Sequence, residues 1–382
     1  MKRRNFLKVA GGGVILAAGA AGGYALTRTP TKALVPWDEA GTLSEEPRRK
    51  ALSYAILAPN PHNRQPWLVD LSEPSTVRLL VDRTRLLPET DPFGRQIVIG
   101  LGCFLELLRM AGAEQGYRVE IEAFPAGADR ERLDDRLVAL ARFVEDSTVP
   151  PDPLFAQVLL RRSLKEPFDT GRRVPDEALT ALTGVVRDGV AVGATNDHTH
   201  VAALRALTHE ALDIEIKTPR TYKESVDLFR IGKAEVEANP DGIDFSGLMF
   251  DSLAALGLFT REIALDQSSS GFQQGYAAMM ATCDTAMGHV WLITHGNGRE
   301  DQIRAGRDWL RVNLAATAVG LGTQPLSQAL QEYPEMARLY EQIHATLAPG
   351  GGTVQMLARL GYGPEVPPSP RWQLEERILK AS

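Results

Sequence analysis

Cysteine is nearly absent: Cys103 and Cys283 are the only two in 382 residues, so no disulfide framework can carry the fold. Aromatic residues make up only 7%. Basic residues give no excess, with 42 Lys and Arg against 48 Asp and Glu, which disfavours a nucleic-acid partner. Only one uncharged apolar run, near the start, is long enough to consider as a membrane span, so a polytopic membrane protein is excluded. There is no G-x-S-x-G elbow and no C-x-x-C-H haem site, and Gly350-Gly351-Gly352-Thr353 lacks the Lys-Ser/Thr of a phosphate loop. The histidines include His198, His200 and His209, without Cys or carboxylate partners at ligand spacing, so no metal is expected. The two cysteines read as small buried hydrophobes. What remains is an apolar content of 44% and a mean hydropathy of −0.16, ordinary for a folded enzyme-sized chain and too apolar for disorder.

Residues 1–26 differ from the rest. Lys2, Arg3, Arg4 and Lys8 precede an uncharged stretch, 9–25, rich in Gly and Ala. Such a stretch is only weakly hydrophobic and suits a signal peptide better than a stop-transfer helix. Arg3-Arg4-Asn5-Phe6-Leu7-Lys8 resembles a twin-arginine export signal, which implies the twin-arginine translocase as a partner and a periplasmic or envelope location. An uncleaved membrane anchor is the alternative. Removal of residues 1–25 would move the net charge from −6 to −10, a surface that seeks neither phosphate backbones nor anionic lipid.

Residues 27–43 read as a linker. A first α+β unit is expected over 44–150. In it a helix capped by Ser44 stops at Pro59, strands follow at 67–71 and 77–81, a long helix spans 97–115, and a strand covers 117–121. The stretch 145–153 is linker-like, and a second unit follows over 154–382. Its expected elements are helices at 175–186, 299–319 and 334–347, and strands at 289–293 and 354–360. A segment rich in charge, Gly and Ser, 219–275, reads as an insertion.

The most informative segment runs from Ala58 to Trp67: Pro59, Asn60, Pro61, His62, Asn63, Arg64, Gln65 and Pro66 lie between them. A helix exit here presents amide, imidazole and guanidinium groups, the donor and acceptor set that the edge of a flavin ring needs. A capped turn with Trp67 as core is the plain alternative. A second cluster, Arg161-Arg162-Ser163-Leu164-Lys165, places three cations within five residues, suited to a phosphate or to solvent.

The first segment resembles the P-S-x-x-N-x-Q-P-W motif of the nitroreductase family, with Asn60 in place of Ser. The second resembles the family's R-R-S-x-R start, with Lys165 in place of the last Arg. Leu360-Gly361-Tyr362-Gly363, followed by Arg371, is similar to its C-terminal strand end and trailing base. Ala315–Pro325 is similar to its late helix and turn. The resemblance implies a nitroreductase-like α+β fold with helices around mixed or antiparallel sheets. It also implies bound FMN, with Arg161, Lys165 and Arg371 on the phosphate, Ser163 and Arg162 beside them, Pro59, Asn60, Asn63 and Gln65 at the ring edge, and Ser327 and Gln328 near flavin N5. Each unit carries the motif the other lacks, so the chain resembles the Acg-like branch, two fused halves forming a pseudo-dimer with one composite site. An oxidoreductase passing electrons from reduced FMN to a nitroaromatic- or quinone-like small molecule is implied. The alternatives are a flavin-sequestering protein with 219–275 as its lid, or a partner of an envelope redox protein. The chain is expected as a monomer or weak homo-oligomer.

Overall fold

Helix α1 (Thr31–Asp38) opens the part of the chain that a computed structural model describes, residues 28–187 and 189–380. The expected export signal, 1–26, lies outside those residues. Helix α2 (Pro47–Ala55) follows. Its cap is Glu46 and not Ser44: the Glu46 carboxylate accepts from the backbone N–H groups of Arg48 and Arg49 at 3.3 and 3.0 Å, and Pro47 takes the first helical position. Strands β1 (Trp67–Asp70) and β2 (Thr76–Val81), helix α3 (Arg95–Ala113), and strands β3 (Tyr117–Ala123) and β4 (Ala139–Glu145) complete the first layer. The strands form an antiparallel sheet in the order β1-β2-β4-β3.

A second antiparallel sheet has the order β5 (Ala191–Thr195), β8 (Gly288–Thr294), β10 (Thr353–Gly361), β9 (Gly322–Pro325). Helix α4 (Asp176–Thr183) and β5 (Ala191–Thr195) lead to the long helix α5 (His198–Lys217). The insertion then supplies α6 (Pro219–Asp227), β6 (Phe229–Ile231), α7 (Gly232–Ala238), β7 (Ile243–Phe245), α8 (Leu248–Ala255), α9 (Arg261–Leu265) and α10 (Ser270–Asp284). Strand β8 (Gly288–Thr294), helix α11 (Arg299–Ala318), β9 (Gly322–Pro325), α12 (Ala337–Leu347) and β10 (Thr353–Gly361) finish the regular structure. The class is α+β, as expected.

Helices α3 and α11 cross at the centre. Their contact is set by two glycines: a Cβ on Gly306 would press into the Ile99 carbonyl and come within 2.9 Å of Gly102 Cα. Cys103 Sγ donates to Gly306 O at 3.1 Å, and Cys283 is buried elsewhere, so both thiols act as interior groups. Beside the crossing, Arg311 bridges Glu106 and Asp152 at 3.2 and 2.6 Å, and Arg307 adds a third contact at 3.0 Å. Burial alone would raise the Glu106 pKa, but Arg109, Arg307 and Arg311 outweigh it and hold the carboxylate charged. Asp152 lies in the stretch read as a linker; its buried ion pair explains why that stretch is anchored.

Two further differences bear on the site. The segment read as a loose linker, 27–43, contains α1, whose Trp37 is buried and donates from Nε1 to Ser369 O at 2.8 Å. The C-terminal tail returns to the first sheet: Val69 N donates to Arg377 O at 2.9 Å and Leu379 N to Val69 O at 2.7 Å, adding an edge to β1.

Candidate functional site

The exit of α2 is held in an unusual backbone. His62, Asn63 and Gln65 have φ of 47°, 50° and 50°, a left-handed region that costs free energy for residues other than glycine. Internal bonds over-determine this conformation. Asn60 Oδ1 accepts from Gln65 N at 2.7 Å, and Asn60 Nδ2 donates to Ala58 O at 3.1 Å. Gln65 is fully buried; its amide donates to Pro240 O at 2.7 Å and accepts from Trp372 N at 2.9 Å. Asn63 Nδ2 donates to Pro370 O at 3.0 Å. Pro59 is half-buried beside Asn60.

The basic cluster meets this loop. Arg161, 4% exposed, donates from Nη2 to Leu57 O at 3.2 Å. Among the described residues its other N–H groups have no hydrogen-bond partner. Arg371, 2% exposed, spends all five donors: Nε on Ile56 O, Nη1 on Asn63 Oδ1 and Pro370 O, and Nη2 on Leu57 O and Ala58 O, over 2.6–3.1 Å. Arg162 lies over the Trp37 ring at 4.9 Å and Arg371 at 5.5 Å. Among the described residues no carboxylate pairs with Arg161, Arg162 or Arg371. Burial lowers the pKa of Arg161 to about 10, with Arg162 adding to the effect. Burial also lowers that of Arg371 to about 9, helped by Arg161 and Arg162. Three guanidiniums without a counterion make an anion-seeking pocket, and Arg161 is the one with donors to give. The donors of Arg371 lock the carbonyls of the helix exit, and the amides of Asn63 and Gln65 also bond protein partners.

Lys165 is exposed and stands close enough to His62 and Asp244 for their charges to interact. Burial lowers its pKa, while Asp244 in β7 pulls the other way. His62 is half-buried near Lys165. Burial, then Lys165 and Arg64, lower its pKa to about 4, so it is neutral at pH 7, and its Nε2 lies 3.0 Å from Ser225 Oγ. Ser163 is half-buried between the two cations. Leu164 N donates to Thr323 O at 2.9 Å, which sets the basic segment alongside β9. Ser327 and Gln328 follow β9 in a half-buried turn anchored by Leu326 N to Leu357 O at 2.8 Å. The structure thus joins the α2 exit, the basic segment and Arg371 directly, and reaches Ser327 and Gln328 only through β9.

The insertion covers the loop. Gly242 N donates to Asn63 O at 3.3 Å, and Asp241 pairs with Arg64 at 3.6 Å, with Arg230 at 2.6 Å and with Arg85. Trp37, Ser225 and Asp244 escaped sequence reasoning. The only local signal was Trp37 itself, a lone aromatic in a segment otherwise read as a linker.

Set beside known proteins, the chain is similar in sequence to bacterial nitroreductase-like proteins. A Mycobacterium tuberculosis protein with the provisional name NAD(P)H nitroreductase acg is 28% identical over 341 residues, 86% of this chain and 94% of the relative. A second M. tuberculosis protein, provisionally named NAD(P)H nitroreductase Rv3131, is 27% identical over 345 residues, 86% of this chain and 90% of the relative. Among solved structures, the FMN-dependent nitroreductase NfnB of Mycobacterium smegmatis, in complex with NADPH, aligns with a TM-score of 0.36 and 18% identity, covering 58% of this chain and 95% of that one. No protein-family model matches the chain.

Proposed function

We propose that this chain is an FMN-binding oxidoreductase of the nitroreductase type, exported by the twin-arginine route and built as a pseudo-dimer with one composite site. The observation that carries the reading is the Arg161, Arg162 and Arg371 cluster at the α2 exit: two buried cations and a half-buried one, without a carboxylate partner among the described residues, and Arg161 with donors left over. The terminal phosphate of FMN fits that chemistry, and the sequence similarity to proteins named as nitroreductases supports the flavin. Bound FMN supplies hydride and electron transfer at its ring. Arg161 holds the phosphate. Lys165 and neutral His62 stand beside it and would offer further hydrogen-bond donors to the cofactor or the acceptor. Asn60, Asn63 and Gln65 hold the loop at the α2 exit, and a small nitroaromatic or quinone is the acceptor class. The N-terminal Arg3-Arg4 pair supports export.

A second reading, a flavin-sequestering protein, is favoured by the insertion bonded across the loop through Pro240, Gly242 and Ser225. Purification with an absorbance spectrum, followed by anaerobic titration with NADPH, dithionite and a soluble quinone, separates the two. A flavin spectrum with re-oxidation by the quinone supports the oxidoreductase. A flavin that is reduced by dithionite but not re-oxidised supports sequestration. An apoprotein without affinity for FMN overturns both.

A further inference from the structure

We propose that Trp37, in helix α1, is a positioning residue that holds the Arg162 guanidinium in the cation cluster and so raises affinity for a phosphorylated flavin over an unphosphorylated one. The inference rests on the flavin reading above. Two guanidiniums stand over the Trp37 ring, that of Arg162 at 4.9 Å from the centroid and that of Arg371 at 5.5 Å. Like charges this close repel, and among the described residues no carboxylate pairs with either.

The two arginines are held by different means. Arg371 gives its donors to five oxygens. Arg162 is half-buried and donates only from Nη1, to Leu159 O and Arg161 O at 2.8 Å each. Both of those carbonyls lie in its own segment, so they tie it to no other part of the fold. The indole face is its one contact with α1, and tryptophan is the best ring for a cation. Without that face, Arg162 is free to turn toward water and leave the cluster.

The ring itself is fixed. Trp37 and Ala33 stand one turn apart on the same face of α1, 7% and 2% exposed. Trp37 Nε1 donates to Ser369 O at 2.8 Å, and Arg371 N donates to Ala33 O at 2.9 Å. Helix α1 is thus clamped to residues 369–371, the same stretch that reaches the α2 exit through Arg371. A phosphate that draws Arg162 inward tightens α1 through the ring, and a docked α1 favours the phosphate in return.

Calorimetric titration of the full chain with FMN and with riboflavin tests this in two variants. Trp37→Leu keeps apolar bulk and removes the ring. Its FMN affinity should fall about fivefold to tenfold while riboflavin affinity stays within about twofold of the native value. Trp37→Phe loses the bond to Ser369 but keeps an aromatic face, and it should recover most of the FMN affinity. Equal losses for both flavins, or Phe no better than Leu, would show that Trp37 only packs α1 and would overturn the proposal. So would Trp37→Leu with native FMN affinity, which leaves the phosphate reading standing. A native chain that binds FMN no more tightly than riboflavin would overturn that reading and this inference with it. If Trp37→Leu does not fold, hydrogen exchange of the native chain decides: saturating FMN should slow the amides over 31–38 more than saturating riboflavin does, and equal slowing would overturn the proposal.

Discussion

Arg161 and Arg371 donate to the same oxygen, the Leu57 carbonyl, at 3.2 and 3.1 Å, from opposite ends of the second half of the chain. A carbonyl accepts two donors readily, and here the two are like charges. The pair is tolerable because the Arg371 guanidinium is solvated by five hydrogen bonds to oxygen. Two arginines that look equivalent in the sequence thus differ: Arg371 has its donors committed, while Arg161 makes a single hydrogen bond among the described residues, to Leu57 O.

That contrast predicts different phenotypes. Arg161→Ala removes a donor from the proposed phosphate pocket. Charge-assisted hydrogen bonds contribute about 1.5–3 kcal/mol each, so FMN affinity should fall roughly tenfold to a hundredfold while riboflavin binding hardly changes. Arg371→Ala strands the carbonyls of Ile56, Leu57 and Ala58 and should destabilise the protein by about 3 kcal/mol or more, weakening both ligands together. Calorimetric titration with both flavins, beside a urea denaturation curve, reads the two effects separately.

The α3–α11 crossing predicts a steric effect. In Gly306→Ala the new methyl meets the backbone of Ile99, which cannot swing aside as a side chain would. Destabilisation of about 3 kcal/mol is expected, and chemical denaturation should show it. Gly350→Ala, where a Cβ meets nothing within 4 Å, is the control and should leave stability nearly unchanged.

Glu215 gives a pH dependence with a definite sign. Burial raises its pKa to about 7, against an ordinary 4.5, although Gln331 Nε2 donates to it at 2.6 Å. The folded state therefore holds this proton more tightly than the unfolded chain. Its contribution is fully present below pH 4.5 and is lost as pH rises through 7. Glu215→Gln abolishes the dependence. Its stability relative to the native protein should rise between pH 4.5 and 7 and then stay level, as measured by thermal unfolding across that range. His62 works in the opposite direction: its pKa is depressed to about 4, so its contribution is present above 6.5 and is lost as pH falls through 4.

Asp241 is the latch of the insertion. It is buried and paired with Arg64, Arg85 and Arg230, which lower its pKa against the opposing effect of burial. Asp241→Asn leaves those guanidiniums without their shared carboxylate. The cost of breaking a buried pair is about 3–5 kcal/mol. Faster hydrogen exchange over 229–245 and quicker dissociation of flavin are the expected outcomes, the second of which stopped-flow fluorescence would record.

Much of this was legible in the residues. The long helix α3, strands β1, β2, β8 and β10, and the late helix α11 announce themselves by apolar period and by bounding Gly and Pro. The meeting of the Asn60–Gln65 loop with Arg161 followed from motif order. Three things were not legible. Helix α1 hides behind a Pro and Thr composition that usually marks loops, and it forms because Trp37 is buried against the tail. Strand β4 follows a charge-rich stretch, 129–136, that reads as loop, and it is a strand because β2 and β3 flank it. Arg371 resembles a ligand-binding base, and only three-dimensional packing shows its donors already spent on Ile56, Leu57, Ala58, Asn63 and Pro370.

The return of the tail onto β1 has a temporal consequence. Residues 377–379 supply the outer edge of the first sheet, and Arg371 ties down the exit of α2. Both lie far downstream of α2 and β1 in the sequence, so a ribosome adds them long after those elements. During synthesis the first sheet therefore waits with β1 unpaired along one side, and the α2 exit waits with its carbonyls open. The α2 exit is therefore completed only after Arg371 has been made, and a chain truncated before Arg371 leaves the carbonyls of Ile56, Leu57 and Ala58 without its donors however much of its interior has collapsed.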